Sequence, residues 1–252
     1  ADYLVLECGR GARWDDVGRV ASRVAVVTSV LNEHADTLGP TLADIAHDKF
    51  SVVGNSEIIV ASSGSLAKAS DFDRSIAEEV RQPEATGGVP RWIGECRALA
   101  QRAAERLLSL APGALGRNEL RVTSASFGQG KAGEARYAFE AAINADSLDS
   151  AFLATLPHNT SMLACLPDGK DRERMLATLS RIGPVREIAL SGAEGYLHFT
   201  EADAAGAVSL GKDDATGLRD LIHDHGSVYL VGTQSFIRLV RLALLQEAAC
   251  SV

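Results

Sequence analysis

Cysteine is sparse in this sequence and never grouped: Cys8, Cys96, Cys165 and Cys250 stand far apart, with no Cys-x-x-Cys and no cysteine beside a histidine. In a chain this long, that pattern reads as reduced thiols in a reducing compartment rather than a disulfide framework. Histidine offers no ligand motif either. The nearest approach, His223-Asp224-His225, puts its rings two residues apart, and such positions do not share a helix face. No metal site is therefore expected. Positive charge is also short: the formal net charge is −8, whereas gripping a phosphate backbone requires a basic face. No nucleic-acid partner is expected. No apolar run approaches the ~20 residues of a membrane span, and no basic-then-apolar signal segment opens the sequence. The expectation is a cytoplasmic protein with no membrane partner. A start at Ala1 rather than Met leaves a removed initiator, tag or leader open.

What is present is ordinary globular composition, 46% hydrophobic and 23% charged over 252 residues, enough for a sizeable core. The final stretch is the most legible. A helix from Thr216 to about His225 ends at Gly226, Ser227–Val231 reads as a buried strand, and Gly232-Thr233-Gln234-Ser235 turns into an apolar helix from Phe236 to about Ala249. A strand handing a small polar loop to a helix N-terminus recurs in ligand-binding α/β proteins. Towards the other end, residues 2–8 read as a strand. The apolar spacing of Val17, Val20, Val24, Val27 and Leu31 predicts a helix over 15–35, with Ala25–Val27 as a competing strand because β-branched residues crowd there. A short helix over 41–47 and extended runs at 50–53 and 57–60 follow. Residues 82–90 are rich in turn formers and read as a linker, and a helix with Trp92, Cys96, Leu99, Ala103 and Leu107 on one face comes next.

The middle predicts a β-hairpin, with arms 119–127 and 134–143 and a loop at 128–133. On the second arm Ala135, Tyr137, Phe139, Ala141 and Ile143 alternate with Arg136 and Glu140, so one face is expected to be more solvated. A helix near 147–156, a strand at 161–166 and a helix at 171–181 follow. A second hairpin is expected at 187–190 and 196–200, then a surface loop over 201–215. The sum is an α/β (or α+β) fold, a mixed sheet with hairpins and flanking helices. It is divided into an N-terminal α/β half (1–82) and a C-terminal α/β half (91–252), or runs as one continuous domain.

Three loops carry candidate chemistry. Ala61-Ser62-Ser63-Gly64-Ser65-Leu66-Ala67-Lys68 leaves the Ile58–Val60 strand. Were Ser65 to open a helix, Lys68 would lie one turn on, close enough for a neutral amine to take the hydroxyl proton. That Ser-x-x-Lys spacing resembles the corresponding element of penicillin-recognising enzymes and other Ser–Lys hydrolases. The resemblance implies Ser65 as nucleophile and Lys68 as base of an amidohydrolase. Their Ser-Asp-Asn element has no counterpart, and Lys131-Ala132-Gly133 lacks the hydroxyl of their Lys-Thr-Gly. The same loop supports a simpler role, with Ser62, Ser63, Gly64 and Ser65 offering hydroxyls and N–H groups to a phosphate or carboxylate. Gly128-Gln129-Gly130-Lys131 is no phosphate loop, since four residues between the glycines and a hydroxyl after the lysine are missing. It reads as a flexible hairpin tip.

The third loop is Gly232-Thr233-Gln234-Ser235. The run Val228–Gly232 with Phe236 looks like the last strand-loop-helix of nicotinamide domains in the ferredoxin-reductase superfamily. Val231 stands where those domains carry Cys, and no flavin motif lies upstream, so the cofactor stays unknown. His158, in the turn after Pro157, is a candidate general base.

The leading expectation is a small-molecule enzyme acting on an anionic, phosphate- or carboxylate-bearing metabolite. Ser65, Lys68 and His158 are its candidate catalytic residues, and Ser62, Ser63, Gly64, Gly232, Thr233 and Ser235 hold the ligand. The alternatives are the Ser65/Lys68 hydrolase and a non-catalytic ligand-binding or assembly subunit. Between Phe236 and Leu245 only Arg238 and Arg241 interrupt the apolar residues, a stripe wider than one sheet face requires. That width predicts a homo-oligomer joined through this helix.

Overall fold

The computed structural model describes residues 3–81, 88–110, 115, 126–168, 171–192, 198–199 and 207–250. The chain is α/β, and it divides into two compact units, 1–122 and 123–252.

The first unit is built on three parallel strands, β1 (Ser22–Val27), β2 (Ser56–Ser62) and β3 (Ala77–Val80), in that order. Helices α1 (Ala35–Leu38) and α2 (Leu42–Phe50) join β1 to β2, and α3 (Ser63–Lys68) leads on from β2. Ala25 and Val27 of β1 and Ile59 and Ala61 of β2 face Ile45, Ala46, Phe50 and Leu66 of the helices in one buried cluster. Helix α4 (Arg91–Leu107) packs on β1, β2 and β3, and Arg102 reaches Glu78 of β3 at 2.6 Å. This helix, grouped with the second half on the sequence, therefore packs within the first unit. Thr41 starts α2 with a capping box. Its hydroxyl accepts the Asp44 N–H while the Asp44 carboxylate takes the Thr41 N–H, so two orphan donors of the first turn are satisfied.

Several expectations fail here for identifiable reasons. Residues 15–35 form no long helix but a 3-10 turn (Val17–Arg19) and then β1, because the β-branched Val24, Val26 and Val27 fit a pleated sheet better than a helix. Residues 50–53 close α2 and open a 3-10 turn instead of extending. Residues 3–8 are not hydrogen-bonded as a strand, and Leu4 and Val5 are exposed.

The second unit carries a six-stranded sheet: β4 (Phe127–Ala132), β5 (Ala135–Ala141), β6 (Ser161–Cys165), β7 (Val185–Ser191), β8 (Val208–Gly211) and β9 (Ser227–Gly232). They lie in the order β4-β5-β9-β6-β7-β8, and only β4 is antiparallel. Helices α5 (Ser150–Leu153) and α6 (Arg172–Ser180) cover one face through Phe152, Leu153, Met175 and Leu179. Helices α7 (Ala215–His223) and α8 (Gln234–Cys250) cover the other through Leu218, Ile222, Phe236, Leu239 and Val240.

Both faces of the central strands are thus covered. A parallel strand covered on both sides reads as an unbroken apolar run, which is why all six residues of β9 are buried. The solvated face expected for β5 shrinks to Arg136 at its start, because Glu140 is buried at 1% exposure and accepts the Tyr229 phenol at 2.6 Å.

The hairpin between β4 and β5 turns at Gly133-Glu134, so Gly128–Lys131 is strand rather than loop. Gly128 and Gly130 face the rings of Phe139 and Tyr137, which occupy the space a β-carbon would take; the aromatic pair covers what the glycines leave bare. The expected first arm, 119–125, lies outside the described residues, as do 196–197 and 200 of the expected second hairpin. On the side of β7 away from β6 lies the parallel strand β8, inside the stretch expected to be a surface loop. Asp214 rather than Thr216 caps α7, accepting the Gly217 N–H. Most of the wide apolar stripe of α8 is consumed within the unit: Phe236, Ile237, Leu239, Val240 and Ala243 are buried, and Leu242 and Leu245 are exposed. No helix among the described residues is long and apolar enough to cross a membrane.

Candidate functional site

Loops at the carboxyl ends of parallel strands point away from the sheet together, and in open α/β sheets ligands gather there. In the first unit that edge holds the end of β1 and the residues after it, the β2–α3 turn, and side chains from α2.

The Ser-rich turn is tied down by its own side chains. Ser62 ends β2 and caps α3, its hydroxyl accepting the Ser65 N–H at 3.3 Å and lying 3.4 Å from the Thr28 carbonyl. Ser65 donates to that same carbonyl at 3.0 Å, and Ser63 donates to Val80 at the end of β3 at 3.3 Å. Lys68 donates to the Val30 carbonyl at 2.6 Å. The carbonyls beyond β1 and at the end of β3 would otherwise be orphans, and these four side chains supply their donors. Gly64 is exposed, with open space where a β-carbon would go.

This geometry corrects the Ser–Lys reading. The Ser65 hydroxyl, 2% exposed, and the Lys68 amine are committed to separate backbone carbonyls. A general base must instead reach the proton it removes.

Across the same edge stand groups that local sequence patterns had not singled out. Lys49, on α2, pairs with Glu33 at 3.0 Å and donates to the Ser29 carbonyl at 3.4 Å, both side chains partly buried. His34 follows Glu33 and starts α1 with φ 56°. Left-handed backbone at a residue with a β-carbon costs on the order of 1 kcal/mol or more and concentrates at functional sites. Beside Lys49 in the chain, Asp48, 5% exposed, accepts the Ala12 N–H at 2.9 Å, and Arg10 of the same turn donates to the Thr37 hydroxyl of α1 at 3.4 Å. Fifteen residues separate Glu33 from its partner Lys49, with α1 and most of α2 between, so no short motif announces the pair. A hollow of about 160 Å³ between α2 and residues 69–72 includes neither Lys49 nor any residue of the 28–34 loop.

The second unit has its own carboxyl edge. The chain leaves β6 for α6 on one face and β9 for α8 on the opposite face, so the crevice between these adjacent strands is a topological switch point. Gly232 and Thr233 lie in it. A β-carbon on Gly232 would run into the Cys165 carbonyl, and the Thr233 N–H donates to that carbonyl at 3.3 Å. The Thr233 hydroxyl accepts the Phe236 N–H at 3.2 Å, capping the start of α8. Ser235 is half-buried beside it. Burial pushes the Cys165 thiol far above its ordinary range, so it stays protonated. Asp168 and His198 meet at this edge through a backbone bond of 2.8 Å. His158 sits elsewhere: it is exposed in the turn before β6, at the amino ends of the strands. The structure does not bring His158 together with Gly232–Ser235.

No protein-family model matches this chain. Over 52 residues, 21% of this chain, it is 38% identical to the dihydrofolate synthase/folylpolyglutamate synthase of Mycobacterium tuberculosis, and that stretch is 11% of the relative. Solved structures cover nearly all of it. The apo form of L. casei FPGS matches 95% of this chain and 65% of its own, with a TM-score of 0.64 and 14% identity. A bifunctional folylpolyglutamate synthase/dihydrofolate synthase with Mn, AMPPNP and L-glutamate bound matches 94% of this chain and 66% of its own, with a TM-score of 0.66 and 18% identity. The chain thus spans about two thirds of the solved structures it matches and about a tenth of the curated relative. These likenesses establish the fold. They also overturn the hydrolase expectation, because the proteins sharing this fold and this short stretch of sequence are synthases, which join molecules rather than cleave them.

Proposed function

We propose that the chain serves an ATP-dependent ligase that forms an amide bond between an amino acid and a carboxylate-bearing small molecule. The observation that carries this reading is agreement between two comparisons. The fold likeness extends over 94% of the chain to a synthase holding AMPPNP and L-glutamate, and the sequence likeness falls on a synthase of the same kind. The expected anionic metabolite fits this class, since both the substrate carboxylate and the nucleotide are anions.

The chemistry assigns work to the first unit's edge. A carboxylate oxygen leaves poorly in water, and a nucleoside triphosphate makes it leave as phosphate instead. Stabilising the charge that spreads over a transferring phosphoryl group is a matter of fixed cations and positioning. Lys49 is the proposed cation at this edge, held by Glu33 and the Ser29 carbonyl. A divalent cation shared with nucleotide phosphates needs only one or two protein donors. Glu33 and His34 are the proposed donors, and the ion would supply further positive charge to the phosphates. Among the described residues no three His, Cys, Asp or Glu form a cage able to hold a metal without a ligand's help. In the second unit, Gly232, Thr233 and Ser235 at the switch point are the proposed contacts for a ligand carboxylate.

Incubation with ATP, a divalent cation, L-glutamate and a panel of carboxylate acceptors tests the reading. The expected result is ADP and phosphate released in step with an amide product seen by mass spectrometry. ATP consumption without an amide, or none with any acceptor, would overturn it.

A further inference from the structure

The turn over residues 9–13 is held by carboxylates rather than by regular structure. The Gly9 N–H donates to Asp15 at 2.9 Å. The Ala12 N–H donates to Asp48 Oδ1 at 2.9 Å, and the Arg13 N–H lies 3.5 Å from the same oxygen. Asp48 is buried in α2, where an acidic side chain is costly unless its oxygens are satisfied. Gly11 lies so close to it that a β-carbon there would overlap the Asp48 carboxylate and the Leu38 side chain. Carboxylate and glycine are therefore fitted to one another across 37 positions of sequence. The neighbour of Asp48 on α2 is Lys49, whose amine is turned to Glu33. The next turn residue, Arg10, reaches α1 at Thr37.

We propose that Asp48 is a positioning residue of the first unit's ligand site. By holding the N–H groups of Ala12 and Arg13 on one carboxylate oxygen, it fixes the 9–13 turn against the helix that presents Lys49. The proposal rests on the ligase reading of that edge, since it takes the ligand there to be a nucleotide. Asp48 touches no ligand itself. Its effect passes through the backbone it holds, so what matters is an acceptor oxygen at this place, and asparagine provides one.

The test compares wild type, Asp48→Ala, Asp48→Asn and Gly11→Ala, with two readouts on each folded protein. Amide hydrogen exchange at Ala12 and Arg13 reports the turn, and calorimetric titration with AMPPNP and Mn reports the site. The expected result is exchange at least tenfold faster and binding at least tenfold weaker in Asp48→Ala and Gly11→Ala, with both restored to within about threefold of wild type in Asp48→Asn. Faster exchange with unchanged affinity in Asp48→Ala would overturn the proposal, because the turn would then be scaffold alone. So would Asp48→Asn binding as poorly as Asp48→Ala while exchange stays slow, because charge and not the acceptor would then matter. Absence of AMPPNP binding by the wild type would instead bring down the ligase reading, and this inference with it.

Discussion

The two units put similar residues at similar edges to different ends. In the first, three serines and a lysine turn inward, and their donors close the carbonyls at the ends of β1 and β3. In the second, the loop after β9 is shaped by backbone: a glycine too close to the Cys165 carbonyl to bear a side chain, then a threonine capping α8. Small polar loops at strand ends are therefore not one kind of feature. In both units the hydroxyls serve the chain itself, but in the first they reach carbonyls distant in sequence, and in the second Thr233 reaches an N–H three residues on.

The comparison breaks most readily at Gly232. Gly232→Ala forces a methyl group into the Cys165 carbonyl, and overpacking of this kind costs about 3 kcal/mol. Urea unfolding followed by a probe in each unit should show the loss in the second and none in the first. Equal losses in both would mean that the units are not energetically separate.

Ser65→Ala should cost about 2 kcal/mol in the first unit, because it deprives the Thr28 carbonyl of its closest side-chain donor. A neutral result would mean that the hydroxyl stitch contributes nothing and that the serines are free for other work.

Tyr229→Phe acts on the second unit's core and should cost about 1–2 kcal/mol at neutral pH, since buried Glu140 loses the phenol as donor. Burial, then the Glu140 charge, pushes the Tyr229 phenol well above its ordinary range. The folded state therefore binds this proton more tightly than the unfolded one. The stability it contributes is complete below the unfolded value near pH 10 and declines as pH rises beyond it. The alkaline decline should be shallower in Tyr229→Phe; an identical slope would detach the phenol from it.

The smallest effect is expected at Thr41→Ala, about 1 kcal/mol in the first unit from loss of half the capping box.

Much of this fold was legible in the sequence where one signal dominated. The unbroken apolar run of β9, the polar loop after it and the apolar helix beyond declared themselves because burial on both faces leaves no polar alternation to misread. The region over 15–35 misled because helical spacing of valines and β-propensity of the same valines competed, and pairing of β1 with β2, invisible locally, decided for strand. The step from strand to helix near Ser62–Ser65 was legible, although the helix opens at Ser63 rather than Ser65, and the direction of the hydroxyls depended on carbonyls 34 to 37 positions earlier and 17 later. Lys49 with Glu33, and Asp48 with Gly11, come together only once α1 and α2 fold back. Neither pair follows from spacing.

The central claim is that Lys49 serves a ligand while Lys68 serves the fold, and replacing each by methionine tests it most directly. Titrating each folded variant with AMPPNP and Mn, the account predicts binding weakened at least tenfold, about 1.4 kcal/mol, by Lys49→Met and left within about threefold of wild type by Lys68→Met, which should instead lower the melting temperature. Affinity lost in Lys68→Met and preserved in Lys49→Met would contradict it.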